Sequence, residues 1–366
     1  MAGSVTGNIF KVMTWGESHG YGLGAVVDGC PAGIEIDEEY IQKDMDRRRP
    51  GGNKFGTKRN EGDKIKILSG VFEGKTTGTP ISLAVINENQ RSGDYGNIME
   101  VFRPGHADMG FYKKYGFRDY RGGGRSSGRE TLARVAAGAV ARKFLSQLGI
   151  SIKSYTLQIG SVKAEKKNIE DIFENQFFMP DKEAAEKAEA LLKETSEKGD
   201  SLGGVVECVI SGMPIGIGEP VFEKLDSSLA KAFMSIGAVK GVEFGGGFSV
   251  AEASGSENND EFYMGENGKI LKKTNNSGGI LGGMSDGADI VARIAFKPTP
   301  SISQKQNTVD IHGENREIEI KGRHDPVIVP RAVVVTEAMA AITAADMMLM
   351  NLSANIENIK KVYGVV

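Results

Sequence analysis

The stretch RGGGRSSGRETLARVAAGAVARKFL, residues 121–145, decides the fold because it joins a glycine- and arginine-rich loop directly to a helix. Ser127, with Glu130 three residues later, has the pattern of a capping box, and the apolar positions that follow recur at helical spacing. Its many small side chains indicate a closely packed helix. The free amides and positive dipole end at such a start favour an anion. Three arginines flank the loop, namely Arg121, Arg125 and Arg129. We therefore predict that this loop binds phosphate.

Other segments predict a mixed α and β protein. A second helix, TEAMAAITAADMMLM from about Thr336, is apolar on most sides, which indicates burial between other layers. Residues 181–198 predict a charged amphipathic helix with a solvated face. Short apolar runs predict strands at Ala25–Val27, Ile65–Leu68, Ile81–Val85, Val205–Ile210 and Ile290–Phe296.

The chain is predicted to form one domain over residues 1–366, because no proline-rich or low-complexity linker divides it. LGAVVDGCPAGI at 23–34 resembles LGGVVECVISGMPIGI at 202–217, which predicts two similar halves in one pseudo-symmetric core. The polar stretch 254–278 is predicted to be a mobile excursion.

Composition narrows the class of protein. A net charge of -3 and a pI of about 6.0 argue against a general nucleic-acid binder. Cys30 and Cys208 are far apart and lack metal-ligand spacing, which favours a reducing compartment. Residues 1–20 lack the pattern of a signal peptide, and no apolar run approaches the length that a membrane span is expected to need. These features predict a cytoplasmic protein that interacts with neither membranes nor nucleic acid. Glycine accounts for 49 of 366 residues, about 13% of the chain, whereas average proteins contain roughly 7% glycine.

Two of the four histidines lie in glycine-flanked settings, His19 in WGESHGYG and His106 in FRPGHADMG. Histidine exchanges protons near neutral pH, so the two are candidates for general acid and base. Either one alone could simply bond to loop backbone. No metal site is predicted, because short ligand spacing is absent.

Basic residues cluster around the bend DRRRPGGNKFGTKR, where several arginines could converge on one anion or form a plain surface patch. FKPTPS at 296–301 is a second candidate phosphate seat, and KGRHDP brings a cation, an imidazole and a carboxylate to one turn. SGVFEGKTTG at 69–78 lacks the first glycine of a P-loop, and no G-x-G-x-x-G dinucleotide fingerprint is found.

Nine motifs, in order, resemble those of the chorismate synthase family and run from residue 16 to about 345. They are GESHG, DRRRPG, GKTTGTPI, RPGHAD, RGGGRSSGRETLARVAAGAVA, MSIGAVKGVEFG, GGILGG, KPTPS and GRHDP. The resemblance implies an α+β, single-domain β-α-β sandwich with helices layered between two sheets, assembled as a homotetramer. It implies a lyase that needs reduced FMN and releases phosphate from 5-enolpyruvylshikimate 3-phosphate by 1,4-elimination. The product, chorismate, ends the shikimate pathway towards aromatic amino acids.

The resemblance also assigns roles to residues of this chain. His19 would protonate the leaving phosphate, His106 would control the protonation state of the reduced flavin, and Asp325 with Ser18 would relay the ring proton taken up at the flavin N5. The cofactor contacts it implies are Arg125, Ser126, Ser127, Gly237, Ala238, Gly282, Lys297, Pro298, Thr299, Pro300, Ser301 and Arg323. The substrate contacts it implies are Arg48, Arg49, Lys54, Arg103 and Arg129. Lys54 stands where the family often has arginine, and Gly237 stands where it often has asparagine.

Two alternatives stay open at this stage. Some family members also reduce FMN with NADPH, whereas the missing dinucleotide fingerprint favours a separate flavin reductase. A different class is a polyanion- or RNA-binding module built on the basic bend, although aromatic residues are sparse there.

Overall fold

The computed structural model describes residues 3–49, 62–87, 98–121, 123–266, 268–320 and 325–365. Its α-helices are α1 (Glu38–Arg48), α2 (Asp108–Tyr115), α3 (Thr131–Ser146), α4 (Lys182–Glu197), α5 (Leu225–Met234), α6 (Gly255–Asn258), α7 (Val329–Met350) and α8 (Ile356–Tyr363). Its strands are β1 (Val5–Thr6), β2 (Lys11–Gly16), β3 (Gly22–Asp28), β4 (Lys66–Ile67), β5 (Val71–Phe72), β6 (Lys75–Thr76), β7 (Ile81–Ile86), β8 (Ser151–Ile159), β9 (Val162–Lys163), β10 (Gly204–Ser211), β11 (Val239–Phe244), β12 (Phe262–Met264), β13 (Ile270–Lys272), β14 (Ile280–Leu281), β15 (Met284–Ser285), β16 (Ile290–Phe296), β17 (Lys305–Val309) and β18 (Asn315–Glu319).

Two five-stranded antiparallel sheets form the outer layers. The first has the order β1-β2-β3-β7-β4, and the second has the order β11-β16-β10-β8-β9. The two segments noted as a faint repeat contribute β3 and β10, and each is the middle strand of its sheet. This equivalence of position is compatible with two related halves, but internal symmetry stays a prediction.

The helices lie between the sheets. α3 packs on β2, β3 and β7 of the first sheet, α7 packs on β8 and β10 of the second, and α3 and α7 pack on each other. α1 contacts both helices, and α5 packs against α7 and β11. The predicted α and β class, with buried helices between layers, agrees with this architecture.

The α3–α7 crossing is very close because small residues meet there. A Cβ atom placed on Gly138 would lie 2.3 Å from the Cβ and 2.5 Å from the Cα of Ala338. The close packing predicted from the Ala- and Gly-rich sequence of α3 is therefore confirmed.

The helix α7, with the turn that follows it to Ser353, has the length and composition of a membrane span. Most of its apolar window, 83%, is nevertheless buried inside the fold. The prediction that no apolar run approaches spanning length is therefore wrong, and the burial of this helix makes it part of the core. Its start at Val329 lies seven residues before the predicted Thr336, because Pro330 is well tolerated in the first turn of a helix.

The predicted capping box at the start of α3 is wrong. Ser127 accepts a hydrogen bond from the amide of Arg129 at 3.3 Å, and it caps a 3₁₀ turn over residues 128–130. The Glu130 carboxylate instead pairs with the Arg134 guanidinium at 3.0 Å. The α-helix proper begins one turn later than the pattern suggested.

Residues 254–278 contain α6 and the hairpin β12–β13. The Lys272 ammonium is buried and donates to Asp260, Asn275, Ser277 and Asp286 at 2.7–3.2 Å. This polar centre ties the excursion to the chain that leads into β16. Whether the excursion moves stays a prediction.

Candidate functional site

His19 lies in the hairpin loop 17–21 between β2 and β3. The preceding Gly16 has a φ of +87°, and a Cβ there would lie 2.1 Å from the Gly22 carbonyl oxygen, so a side chain would open this tight turn. His19 itself is buried, with 8% of its surface exposed. The Ser18 hydroxyl lies 3.2 Å from its Nδ1. When that hydroxyl donates to Nδ1, the Nε2 atom carries the ring proton and can exchange it with a ligand.

His106 is fixed by Asp108. Its Nδ1 atom lies 2.9 Å from Asp108 Oδ1, and Arg103 donates to both carboxylate oxygens, from Nε at 2.8 Å and from Nη2 at 2.9 Å. Burial acts to raise the pKa of Asp108, but hydrogen bonds from Arg103 and His106 outweigh it and hold that pKa well below its ordinary value. The carboxylate is therefore ionised at neutral pH.

This arrangement assigns the tautomer of neutral His106. Arg103 Nη2 also lies 3.1 Å from His106 Nδ1, and the guanidinium can only donate, whereas the Asp108 carboxylate can only accept. Because Arg103 already binds Asp108 with two hydrogen bonds, we assign the Nδ1 proton to the contact with Asp108. The basic nitrogen is then Nε2.

Arg118 stabilises the segment before His106 and also contacts Asp108. Its side chain is buried, and Nη2 donates to the carbonyls of Ile98, Met99 and Val101 at 2.5, 3.2 and 3.0 Å. Its Nη1 lies 3.3 Å from Asp108 Oδ1, and burial lowers the pKa of Arg118. The loop before His106 and the carboxylate that orients it are thus held by one side chain.

The glycine-rich loop contacts both histidine-bearing segments. A Cβ on Gly123 would lie 3.4 Å from His106 Cε1, so the ring of His106 rests on this glycine. Arg125 donates to Thr14 Oγ1 at 2.7 Å and to the Gly16 carbonyl at 3.3 Å, and so anchors the strand that leads to the His19 loop. The Ser126 hydroxyl donates within the loop, to the Gly123 carbonyl at 2.7 Å.

Several arginines surround the buried carboxylate of Asp63. Arg129 Nη2 lies 2.8 Å from Asp63 Oδ1, and Arg48 Nη1 lies 3.8 Å from Oδ2. Burial raises the pKa of Asp63, and the charges of Arg48, Arg331 and Arg49 act against that rise. Asp63 also has a φ of +39°, an uncommon conformation for a residue other than glycine. We call Arg48, Arg49, Arg129 and Arg331, together with Asp63, the arginine cluster.

Arg48 is the most enclosed member of the cluster, with 2% of its surface exposed. It donates to the Gly128 carbonyl at 2.6 Å and to Thr131 Oγ1 at 3.1 Å, and so it is fixed against the start of α3. Burial and the charge of Arg331 lower the pKa of Arg48 to about 9. Arg129 acts in the same direction as Arg331, so three guanidinium groups meet here, an arrangement that suits an anionic ligand.

The predicted basic bend divides into separate roles. Arg47 forms a bidentate ion pair with Glu337 of α7, at 2.6 and 3.0 Å, and belongs to the core. Arg49 is 40% exposed on its side chain and lies 3.8 Å from Asp46. Lys54 lies outside the described residues. Of this bend, Arg48 is the residue built most firmly into the arginine cluster.

Asp325 joins the cluster through Arg331. Asp325 is buried and forms an ion pair with Arg331 Nη1, while Arg331 Nε donates to the Arg48 carbonyl at 3.1 Å. The candidate catalytic carboxylate is thus linked by one side chain to a candidate substrate arginine. Arg323 lies outside the described residues.

The segment 297–301 borders the His106 loop. Lys297 Nζ donates to the Gly105 carbonyl at 2.6 Å, and a Cβ on Gly105 would lie 3.2 Å from Pro300. The Lys297 amide donates to the Ala238 carbonyl at 2.9 Å, and Ala238 has a φ of +73°. Two of the sequence-predicted cofactor segments are therefore adjacent, and one of them reaches His106.

The residues in this region fit an anionic cofactor. Within the described residues, the buried Thr299 hydroxyl has no hydrogen-bond partner. A Cβ on Gly237 or Gly282 would meet no atom within 4 Å, so backbone is open to a ligand at both places. Burial and the charge of Lys240 lower the pKa of Lys297, which again favours an anion nearby.

Four residues that touch the site were missed by sequence reasoning, namely Asp63, Asn87, Arg118 and Arg331. Arg331 follows Pro330 at the start of α7, where an anion site is expected, so a signal existed. Asn87 follows directly after β7, at the end of a predicted strand. Asp63 and Arg118 are not distinguished from surface charges by their sequence neighbours.

Comparison with known proteins gives the family. The family model described as chorismate synthase matches residues 10–349. The chorismate synthase of Lachnospira eligens is 60% identical over 365 residues, covering 99% of this chain and 100% of its own length. That of Methanosarcina mazei is 54% identical over 354 residues, covering 95% and 97%. A crystal structure of chorismate synthase superimposes with a TM-score of 0.76 at 35% identity, covering 98% of this chain and 97% of the other.

The layered α+β fold carries two loop histidines held by polar partners and a group of buried and half-buried arginines, and the comparisons make the protein a lyase. The chain belongs to the chorismate synthase family.

Proposed function

We propose that the protein converts 5-enolpyruvylshikimate 3-phosphate to chorismate by a reduced-FMN-dependent 1,4-elimination of phosphate. The observation that carries the proposal is the position of the loop 123–129. At one end it supports His106, through Arg125 it anchors the strand before His19, and with Arg129 it enters the arginine cluster. One loop thus contacts the segments of both candidate proton-handling groups and supplies a member of the arginine cluster.

The substrate carries a phosphate and two carboxylates, and the arginine cluster supplies the matching positive charge. Arg48 and Arg129 would bind these anions most directly, because Arg48 is buried, Arg129 is half-buried, and both are fixed at the start of α3. Arg49 and Lys54 would extend this surface. Arg103 would meet the substrate on the side where it also orients Asp108.

FMN would be held by the loop 125–127, by Gly237, Ala238 and Gly282, by the segment 297–301 and by Arg323. The unpartnered Thr299 hydroxyl and the open backbone at Gly237 and Gly282 support this assignment. Held by these residues in its reduced form, FMN would supply reversible electron donation, which would leave the reaction without net redox change.

The chain's own residues would handle the protons. His19, with Ser18 at Nδ1, would donate the Nε2 proton to the departing phosphate. His106, held as the Nδ1–H tautomer by Asp108, would present Nε2 on the cofactor side. Asp325, with Ser18, would carry away the proton lost from the ring. The elimination is then balanced, because one phosphate and one proton leave the substrate.

Anaerobic incubation with dithionite-reduced FMN and 5-enolpyruvylshikimate 3-phosphate tests the proposal directly. Chorismate should accumulate with time. Folded protein that binds reduced FMN but forms no chorismate would refute the proposal. The variants His19→Ala and His106→Ala should slow turnover by at least about 100-fold and keep the fold, since general acid–base groups contribute 10²–10⁴-fold. The exposed His312 provides the control, because His312→Ala should keep full activity.

The source of electrons is a second question. Replacing dithionite with NADPH separates the bifunctional alternative from dependence on an outside flavin reductase. We propose the latter, on the absence of a dinucleotide fingerprint in the sequence. We also propose a cytoplasmic homotetramer, which size-exclusion chromatography with light scattering and cell fractionation would test.

A further inference from the structure

Asn87 connects two parts of the site that are distant in sequence. Its Oδ1 atom accepts hydrogen bonds from Arg129, from Nε at 3.3 Å and from Nη2 at 3.0 Å. Its Nδ2 atom points to the carbonyls of Gly20, Glu17 and Ser18, at 2.8, 3.3 and 3.4 Å. One amide group therefore spans from the arginine cluster to the backbone on both sides of His19.

The orientation of this amide follows from chemistry. Arginine can only donate and a carbonyl can only accept, so the oxygen of Asn87 must face Arg129 and its nitrogen must face the loop. No other side chain of similar size offers an acceptor on one side and two donors on the other, apart from the longer glutamine. Aspartate has the same shape but would turn a charged oxygen towards three carbonyl oxygens.

The backbone explains why Asn87 reaches this place. β7 and β3 are antiparallel, and Ile86 pairs with Gly22 at the end of the ladder. Asn87 continues one step further, where its amide donates to the Tyr21 carbonyl at 3.0 Å. Strand pairing thus delivers the side chain to the open end of the His19 loop.

Arg129 is itself held from the other side. Its Nη2 atom lies 2.8 Å from Asp63 Oδ1, and that carboxylate is buried between Arg129 and Arg48. Asp63, Arg129 and Asn87 therefore form a continuous polar chain that ends on the loop of His19. The ion pair with Asp63 and the hydrogen bonds to Asn87 therefore constrain the Arg129 guanidinium from two sides.

We propose that Asn87 is a positioning residue that sets His19 at the correct place relative to Arg129. This inference rests on the proposed function, in which Arg129 binds substrate anions and His19 protonates the leaving phosphate. The acid and the anion-binding group must stay in register for proton transfer, and an error of about 1 Å can cost about 100-fold in rate. Asn87 fixes that register, because its one side chain holds both Arg129 and the backbone of the His19 loop.

Two variants distinguish the contact of Asn87 with Arg129 from its contacts with the His19 loop. Asn87→Ala removes both contacts, and kcat is expected to fall about 10- to 100-fold, while KM changes less than about 3-fold because Asp63 still holds Arg129. Asn87→Asp keeps the acceptor for Arg129 but loses the donors to the loop, so its kcat should fall at least as far. The exposed Asn259 provides the matched control, since Asn259→Ala should leave both constants unchanged.

A double-mutant cycle tests whether the effect acts through His19. In the His19→Ala background, single-turnover rates should show little further loss from Asn87→Ala, because no imidazole remains to be placed. Losses that multiply in the double variant would overturn the proposal, and so would wild-type kcat in Asn87→Asp.

Hydrogen exchange tests the same idea without activity. Amides of residues 17–21 should exchange faster in Asn87→Ala than in wild type, with those of α3 unchanged, and equal protection of the loop would contradict the proposal. Together with the activity assay, this measurement distinguishes a failure of the proposed function from a failure of the proposed role of Asn87. Wild-type protein that makes no chorismate refutes the proposed function, whereas an active wild type with an unaffected Asn87→Ala refutes the role of Asn87.

Discussion

Replacement of Gly138 by alanine should destabilise the protein, although alanine is the better helix former. Gly138 lies in the middle of α3, where the added Cβ would approach the Cβ of Ala338 on α7 to 2.3 Å and its carbonyl oxygen to 3.0 Å. Carbon atoms in good contact are about 3.5–4.0 Å apart. The two helices must therefore separate by more than an ångström or bend, and either response loosens the centre of the core.

The expected magnitude is a balance of two opposing effects. Overpacking a closed core lowers the free energy of unfolding by about 1–3 kcal/mol, whereas replacing glycine by alanine within a helix raises it by about 1 kcal/mol. Because the colliding atoms belong to a buried backbone and its Cβ, no side chain can rotate away. We therefore expect the free energy of unfolding to fall by about 2 kcal/mol.

Urea unfolding, followed by circular dichroism, measures this change as a lower midpoint at constant slope. Gly110→Ala is the matched control, since Gly110 lies in α2 and a Cβ there would meet no atom within 4 Å, so the same change should be neutral or stabilise by up to about 1 kcal/mol. Ala338→Gly should partly rescue Gly138→Ala, with a coupling of about 1 kcal/mol. A Gly138→Ala protein as stable as wild type, or a double variant that shows only the sum of the single effects, would refute the reasoning.

Three further outcomes are expected. Lys272→Met should leave the buried carboxylate of Asp260 without its positively charged partner and lower the free energy of unfolding by about 3–5 kcal/mol. Hydrogen exchange over residues 260–286 should become faster, and unchanged protection would contradict this expectation. Burial raises the pKa of the Cys30 and Cys208 thiols to about 12, so Ellman's reagent should label them only after unfolding, and fast labelling of the native protein would be evidence against it. Folding lowers the pKa of Asp108, so the stability that its carboxylate contributes is complete above about pH 4 and is lost as the pH falls. The free energy of unfolding of Asp108→Asn should therefore fall less steeply between about pH 4 and 2 than that of wild type.

The elements with a clear period could be predicted from sequence. The predicted strand Ile290–Phe296 coincides with β16, because its residues alternate between buried and partly exposed along the whole strand. The predicted strands in β3, β7 and β10 also lie within the observed elements. Two-residue strands such as β5 and β6 are too short to show any period, and they are defined only by their pairing.

Buried polar partners could not be predicted, because their reasons are far away in sequence. The apolar helix α7 carries two buried carboxylates. Glu337 accepts hydrogen bonds from Arg47, Arg142 and the Ser154 amide, and Asp346 accepts them from the backbone amides of residues 8–10. Each of these pairs spans between 183 and 338 positions. The sequence shows an unusual acidic residue in an apolar helix but not what satisfies it.

The same limit applies to the candidate site. Local motifs identified the two histidines, because glycine-flanked loops and a neighbouring acidic residue are visible within a few positions. The arginine cluster needed the fold, since Arg48 ends α1, Arg129 precedes α3 and Arg331 lies in the first turn of α7. The sequence indicated that arginines of one bend could converge on an anion; the structure directs Arg47 of that bend to Glu337 and adds Arg331 from another element.

The meeting of these three helix ends also explains the electrostatics of the site. The starts of α3 and α7 both bring the positive end of a helix dipole towards the cluster, and Arg48, Arg129 and Arg331 add full charges there. Burial is the main reason that the pKa of Arg48 lies as low as about 9; the charges of Arg331 and Arg129 lower it further, and those of Asp63 and Glu130 act against them. A substrate with several negative charges would complete the balance. A positively charged cluster of this kind would draw an anionic substrate towards the loop of His19.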